Sequence, residues 1–526
     1  MLAAPTLGEL LRTAAQHAPD AEAFRYRAER LSYRDWDTLA DKVAANLAAR
    51  GVTRGDVVAL LLPTTPLYLV AYLAAARLGA VTTGINARYR RTEIGHILRR
   101  SGAKVLLAVD AWHDADFRAA VESQRNELPE LHDAVWIGAD GLRASTAKVV
   151  ATLCPHPAPL SEGQGAHAPA VQPDDPVAIV FTSGTTGIPK GAWYSHRNLL
   201  ALAEIDTRRY RDGVIPFRKH LAAGLSFAHI GTMARIGIQI GHVGCSIIHD
   251  AFDPAAVLEA IERERLAHLG GIPTQIIMLL DHPDRSKRDL SSLKSVLLGG
   301  APSSPELIRR VQDTLHVEVS VRYSSTEVGI ATASLSDDPP EVLSTTVGKA
   351  TPGVELRIVG GDNRPVPANE PGEVVVRSPA TMRGYWRDPE QTAKVVDADG
   401  WIHTGDIGFL DEQGYLRLRG RQSEMFIRGG YNVYPAEIED LLAQHPRVAR
   451  AAVIGVPHDV FGEIGWAFVV PRDANNPPSL AELREFAGKE LASFKRPDGL
   501  TILKELPITP MFKIDKRALR ALQVPS

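Results

Sequence analysis

Residues 182–191 read Thr-Ser-Gly-Thr-Thr-Gly-Ile-Pro-Lys-Gly. Within six residues, Thr182, Ser183, Gly184, Thr185, Thr186 and Gly187 offer four hydroxyls and two glycines, directly after the apolar run Val177 to Phe181. Glycine lets backbone N–H groups come close to an anion, and hydroxyls add further donors. Lys190 adds a mobile positive charge. A strand followed by such a loop suits a polyphosphate, although a polar turn also draws on Ser, Thr and Gly. It is not the P-loop pattern, which needs Gly-Lys-Ser/Thr in succession; here Pro189 precedes Lys190. No G-x-G-x-x-G dinucleotide element accompanies it.

Further clusters follow. Gly299-Gly300-Ala301-Pro302 gives a run of small residues after an apolar strand, where a planar ring could lie against the backbone. Tyr323-Ser324-Ser325-Thr326-Glu327 combines an aromatic, hydroxyls and a carboxylate. In Trp401-Ile402-His403-Thr404-Gly405-Asp406, the Asp406 carboxylate can accept two hydroxyl hydrogen bonds. Taken singly, each is compatible with an ordinary turn or helix start.

Together and in this order, these segments resemble the adenylate-forming superfamily of acyl-CoA synthetases, peptide-synthetase adenylation domains and beetle luciferases. The 182–191 loop is similar to that family's signature at every fixed position, and the resemblance covers most of the chain. It implies that the loop holds ATP phosphates, that Gly300, Ala301 and Pro302 pack against adenine, and that Tyr323 faces it. It also implies that Thr326 donates to the α-phosphate, that Glu327 holds Mg²⁺, and that Asp406 and Arg421 bind the ribose. Ser324 replaces the family's usual Gly.

Residues 420–435 resemble the family's interdomain segment. Glu424 then stands at the pivot, where Asp or Lys is usual, and Arg428, Gly429 and Gly430 would line the path of the coenzyme A pantetheine. Residues 506–516 resemble the C-terminal catalytic segment. Lys513 takes the catalytic lysine position, and Phe512 replaces the usual Gly; Lys516 and Lys495 are nearby alternatives that read rather as solvated charges. Ser226 to Gly231 aligns with the acid-binding segment. His229 falls where synthetases of simple carboxylic acids carry His or an aromatic, and Ala228 stands where amino-acid-activating domains carry Asp, which argues against an α-amino acid substrate.

The reaction implied is attack of a carboxylate on the ATP α-phosphate, followed by thiol attack on the acyl-AMP. Lys513 serves the first step and Gly429–Gly430 the second, with the small domain rotating between them. Two other readings stay open: an acyl-AMP ligase that loads a carrier protein, and a catalytically impaired nucleotide-binding protein whose support is Ser324 and Phe512. Trp193, His229, Met233, Arg235, Val328 and Ile330 are candidates for the acid pocket. Their apolar character suggests a hydrophobic acyl or aryl acid, as in fatty acid metabolism. Arg235 could pair with a second carboxylate but reads as a peripheral charge.

The elements that must position these residues are legible in outline. Strand-like runs at Val57 to Leu62, Val105 to Val109 and Val177 to Phe181 alternate with helical patterns at Pro66 to Leu78 and Thr92 to Ser101, which predicts an α/β domain with a largely parallel sheet. Helical patterns recur at Pro254 to Arg265 and Pro305 to Leu315. From about residue 346 short strands between turns predict a β-rich subdomain (346–420) within a large multi-layer N-terminal domain, 1–420. Residues 421–526 predict a small, mobile α+β domain with helices at Pro435 to Ala443 and Ser479 to Leu491.

The composition agrees. A chain of 526 residues with 44% hydrophobic residues can bury more than one core. A net charge of -3 gives no general attraction to nucleic acid or anionic membranes. Cys154 and Cys245 cannot make a disulfide framework and lack metal-ligand spacing. No signal peptide or membrane span is expected, so the expected location is the cytoplasm; a homodimer is compatible with this reading.

Overall fold

The computed structural model describes residues 1–138, 141, 144–154, 170–182, 189–208, 219–223, 226–301, 303–335, 338–509 and 513–522. Most of the phosphate-loop candidate (183–188), Pro302, Phe512 and most of the Pro-rich connection therefore lie outside the described residues.

A seven-stranded sheet forms the first layer. Its order is Gly384–Tyr385, Gly191–Ser195, Pro176–Phe181, Val81–Gly84, Val57–Leu61, Ala103–Val109, Asp133–Ile137. The last five strands pair in parallel, and Gly191–Ser195 runs antiparallel to its neighbours. A parallel sheet needs crossover helices on its faces, so its strands read as continuous apolar runs. Every residue of Val57–Leu61 is buried accordingly. The crossover Pro66–Arg77 starts with proline at its first turn and is buried from Pro66 through Ala76. Gly79 follows with φ +67°, a left-handed geometry that ends the helix.

A second sheet, Lys219–Ala223, Cys245–His249, Glu22–Tyr26, Glu29–Ser32, lies under the same core. A third, His268–Gly271, Ser295–Gly299, Glu318–Ser325, Gly329–Ala333, Lys349–Ala350, begins with parallel strands and turns antiparallel. Pro254–Glu264, Pro273–Asp281 and Pro305–Leu315 accompany it, and with it they close a separate core. The helix Pro305–Leu315 shows why the chain folds so locally: the Ser304 side chain accepts from the Leu307 N–H, proline opens the first turn, and His316 leaves with φ +53°.

Past residue 346 the chain forms the expected antiparallel strands: Glu355–Val359, Gly372–Arg377, Ile402–Leu410 and Leu416–Arg421. Residues from Phe426 onward build cores of their own, from the hairpins Phe426–Arg428/Tyr431–Val433 and Val448–His458/Gly462–Pro471, the strand Gly499–Ile502, and the helices Pro435–Leu442, Leu480–Ala487 and Lys516–Ala521.

Two expectations need correction. The helix expected to run to Leu491 ends at Ala487, because bonds from Lys489 to Phe486 and from Glu490 to Ala487 tighten the chain into turns after Gly488. The strands expected at Ala451 to Ile454 and Ala467 to Val470 are each ten or eleven residues long. They pair along their whole length as one hairpin, and that pairing extends them beyond their apolar centres.

Candidate active site

The candidate residues converge where the third sheet, the antiparallel strands and the C-terminal turn meet. The strand Glu318–Ser325 carries Tyr323 and Ser324 to its end, and its register against Gly329–Ala333 shifts between these two residues. Ser324 stays within the strand and is not among the residues with positive φ. Its position does not demand glycine, so this departure from the family pattern brings no backbone strain.

Thr326 and Glu327 follow in the turn. The Thr326 carbonyl accepts from the Tyr194 hydroxyl. The Glu327 carboxylate accepts from Ser325 Oγ at 3.1 Å and from the Tyr385 hydroxyl at 3.1 Å. Burial, followed by the charge of Glu327, raises the Tyr385 pKa far above that of a free phenol, so Tyr385 remains a donor. The ammonium of Lys190 sits 5.1 Å from the centre of the same ring. Both ends of the 182–190 loop are tied: the Thr182 N–H donates to the Lys190 carbonyl at 2.9 Å, and His96 Nε2 bonds the Pro189 carbonyl at 2.8 Å.

Asp406 and Arg421 are direct cross-strand partners in the antiparallel sheet, which brings their side chains together. Arg421 Nε lies 3.0 Å from Asp406 Oδ1, and the Tyr323 hydroxyl donates to Asp406 Oδ2 at 2.6 Å. Asp406 is 6% exposed. Burial raises its pKa and the Arg421 guanidinium opposes the rise. Gly405 turns the chain with φ +69°, its N–H donating to Glu373 at 2.9 Å, which fixes where Asp406 points.

Lys513 enters from the C-terminal turn. Its carbonyl accepts from the Thr509 N–H at 2.7 Å, and Ile508 bridges to Ile514. Its pKa is lowered first by burial and then by repulsion from Arg421, while Glu327 and Asp406 pull it upward. Lys513 thus shares an electrostatic environment with residues from three segments far apart in sequence. It also acts on His229, whose pKa falls to about 4 through burial and then through Lys513. His229 caps the helix Ile230–Gly241: its Nδ1 accepts from the Gly231 N–H at 3.1 Å, which leaves Nε2 as the donor of a neutral ring.

That helix lines a small, mostly apolar cavity. Its lining includes Phe227, Thr232, Arg235, Gly270, Gln275 and His220. Gly271, also in the lining, pairs in register with Leu298 two residues before Gly300, and a Cβ on Gly300 would lie 3.3 Å from Ile272. Arg235 is therefore not a peripheral charge. Of the other pocket candidates, Met233, Val328 and Ile330 pack into the main core, and Trp193 lies edge-on to Trp386 at 6.2 Å. Among the lining residues that the sequence reading missed, Thr232 carries a faint signal: it stands three residues before the candidate Arg235, on the same helix face.

The remaining candidates follow Arg421 in the chain, and Glu424 among them still adds its charge to the field at Asp406 and Arg421. Gly429 and Gly430, with φ +57° and +86°, form an exposed hairpin tip. Arg428 beside them is held by both oxygens of Asp498, at 2.8 and 2.9 Å. Glu424 bonds Lys516 Nζ at 2.7 Å, and the same ammonium reaches Glu439 at 2.8 Å. Lys495 is bound to both oxygens of Glu437 at 2.7 and 2.8 Å. Neither lysine is a solvated charge, because neighbouring helices supply carboxylates that no local pattern announces.

The AMP-binding enzyme family profile matches residues 11–386, and that of the AMP-binding enzyme C-terminal domain matches residues 437–513. The chain is 38% identical over 482 residues, 91% of each protein, to the 3-[(3aS,4S,7aS)-7a-methyl-1,5-dioxo-octahydro-1H-inden-4-yl]propanoyl:CoA ligase of Mycobacterium tuberculosis. It is 35% identical to a feruloyl-CoA synthase of Amycolatopsis over 96% of both chains. This chain belongs to the AMP-binding enzyme family. Among solved structures it resembles ATP-bound MatB from Rhodopseudomonas palustris, with a TM-score of 0.86 at 30% identity over 98% of both chains. As an acyl-CoA ligase of the adenylate-forming superfamily, it activates a carboxylic acid with ATP as the acyl-adenylate and transfers the acyl group to CoA.

Proposed function

We propose that this ligase takes a hydrophobic, ring-bearing acyl or aryl acid, and that the cluster around Glu327, Asp406, Arg421 and Lys513 is its adenylation centre. One observation carries the proposal: Lys513, from the last twenty residues of the chain, shares the electrostatic field of Glu327, Asp406, Arg421 and His229. Attack of a carboxylate on a phosphate brings two anions together, so catalysis rests on positioning and on fixed positive charge. Lys513 supplies that charge at the attacked phosphate, with Thr326 as a donor to its oxygens. The loop Thr182, Ser183, Gly184, Thr185, Thr186, Gly187 and Lys190 cradles the leaving phosphates.

Gly300, Ala301, Pro302, Tyr323 and Ser324 flank the adenine, and Asp406 with Arg421 holds the ribose. Glu327 would hold Mg²⁺, which would neutralise phosphate charge there. The residues fit this: each Glu327 oxygen accepts one hydrogen bond and keeps a lone pair, and Mg²⁺ at phosphate sites commonly takes only one or two carboxylates. Neutral His229 orients the incoming acid through Nε2–H. The acid's body lies in the cavity behind it, and the names of the bicyclic dione-propanoyl and feruloyl relatives favour a ring there.

For thioester formation, Arg428, Gly429 and Gly430 admit the pantetheine arm after residues 421–526 rotate about Glu424 against residues 1–420. The test is incubation with ATP, Mg²⁺ and a panel of alkyl, aryl and alicyclic acids, with and without CoA, following pyrophosphate, AMP and thioester by mass. The expected result is acid-dependent pyrophosphate with AMP and acyl-CoA, strongest for ring-bearing acids. Acyl-adenylate that accumulates without thioester would move the acceptor to a carrier-protein thiol, and no product from any acid would overturn the assignment.

A further inference from the structure

The lining of the acid cavity is mostly apolar, with Leu221, Phe227, Leu269 and Ile276 in it, and Gln275 and His220 are polar exceptions. Gln275 stands in the first turn of the helix Pro273–Asp281. Its Oε1 reaches back toward the Ile272 N–H at 3.5 Å, across the helix start. That contact fixes the direction of the amide, because exchanging its oxygen and nitrogen would set two donors against each other. Gln275 is 3% exposed, and its Nε2 is buried with no hydrogen-bond partner among the described residues. A buried amide donor without an acceptor is costly, and a ligand that brings an oxygen to it removes that cost.

His220 ends a directional chain. Its direct neighbour across the parallel strands Lys219–Ala223 and Cys245–His249 is Ser246. Gln239 Nε2 is used on the Ala23 carbonyl at 2.7 Å, so Gln239 Oε1 is the acceptor for Ser246 Oγ at 2.6 Å. The contact of 2.7 Å between Ser246 Oγ and His220 Nε2 then uses the histidine proton. Nδ1 stands 3.5 Å from the same Oγ, whose proton is already committed. Burial, and after it the charge of Arg235, lowers the His220 pKa to about 3, so the ring stays neutral and Nδ1 is an acceptor. The strand of His220 lies beside His268–Gly271, which runs into the helix of Gln275. A donor and an acceptor therefore line the same small cavity.

Resting on the acid-cavity reading above, we propose that the acid carries a hydroxyl on its ring, which accepts a hydrogen bond from Gln275 Nε2 and donates one to His220 Nδ1. A hydroxyl does both with one oxygen. A ketone or an ether answers Gln275 alone, and a bare hydrocarbon answers neither residue.

Phenylpropanoate, its ortho-, meta- and para-hydroxy derivatives and their methyl ethers test this, compared by kcat/KM for AMP release in the wild type, Gln275→Leu and His220→Phe. The wild type is expected to prefer one hydroxy acid to the unsubstituted acid by about tenfold or more, and to prefer it to its own methyl ether. The ring position that wins reads out where the pair lies relative to the carboxylate. Gln275→Leu removes the donor at similar size and should bring the ratio of hydroxy to unsubstituted acid to within about threefold of unity. His220→Phe removes the acceptor and should lower the same ratio. A ratio is insensitive to a general loss of folded enzyme, so partial unfolding does not mimic the result. Equal use of hydroxy and unsubstituted acids by the wild type, a methyl ether used as well as its hydroxy acid, or a preference that survives both substitutions overturns this inference and leaves the proposed function standing. Absence of AMP from every acid overturns both.

Discussion

The C-terminal part presents two turns of opposite character. The turn around Lys513 is drawn into the adenylation cluster, where its ammonium feels Glu327, Asp406 and Arg421. The Gly429–Gly430 tip faces solvent, with Tyr431 58% exposed and stacked on Phe494 at 4.3 Å. On the proposed assignment one turn lies at the chemistry while the other lies away from it, and this conformation would then fit adenylate formation and not thioester formation. If the proposal holds, the contrast teaches that one small body serves two reactions by presenting one turn at a time, and that the contacts holding the present arrangement become levers on the balance between them.

The largest effect is expected from Lys513→Ala. Acid-dependent ATP–pyrophosphate exchange should fall about 10²- to 10³-fold, the usual cost of removing one charge-stabilising donor. Gly430→Val should do the reverse. It places a β-branched residue at φ +86°, and it should slow acyl-CoA release about tenfold or more with a much smaller change in exchange. If both variants slow both half-reactions alike, the division of labour is wrong.

The pH profiles should separate the same two steps. Burial and Arg421 lower the Lys513 pKa below the 10.5 of a free lysine, so the ammonium is lost at a lower pH than usual. Adenylation should therefore decline as pH rises toward that range, while attack by the CoA thiol speeds up as thiolate forms. Single-turnover rates for each half-reaction between pH 7 and 10 would show the divergence; parallel profiles would break it.

A smaller effect concerns the contacts of Lys516, which joins Glu424 to Glu439. Lys516→Met leaves two largely buried carboxylates without their cation. It should cost about 1–3 kcal/mol in thermal or denaturant unfolding and shift the balance between the half-reactions. The smallest expected effect lies remote from both turns. His196 is fully buried, its Nδ1 accepts from the Leu7 N–H at 3.2 Å, and burial lowers its pKa to about 4. The unfolded chain binds a proton near pH 6.5 and the folded chain does not, so stability is present above pH 6.5 and is lost as pH falls toward 4. At pH 5 this group alone should cost about 1–2 kcal/mol, measurable as a lower Tm.

Much of this was legible from residue types. Buried parallel strands such as Val57–Leu61 are apolar throughout, and helices such as Pro305–Leu315 announce their start with Ser-Pro. The adenylation cluster was legible because backbone approach, hydroxyl donors and carboxylates sit in short contiguous segments. The acid cavity was not: Gly270, Gln275 and His220 come from separate elements, and only the packing of the helix Ile230–Gly241 against them makes one wall. The partners of Lys516 and Lys495 were hidden for the same reason, since charge pairs between distant segments leave no spacing to read.

The most direct test of the account supplies chemically prepared acyl-adenylate and CoA to the Lys513→Ala enzyme, which bypasses the first step. The account predicts thioester formation within about threefold of wild type, alongside the large loss in pyrophosphate exchange. If thioester formation falls as far as adenylation does, Lys513 is not confined to the first half-reaction and the two-turn account is contradicted.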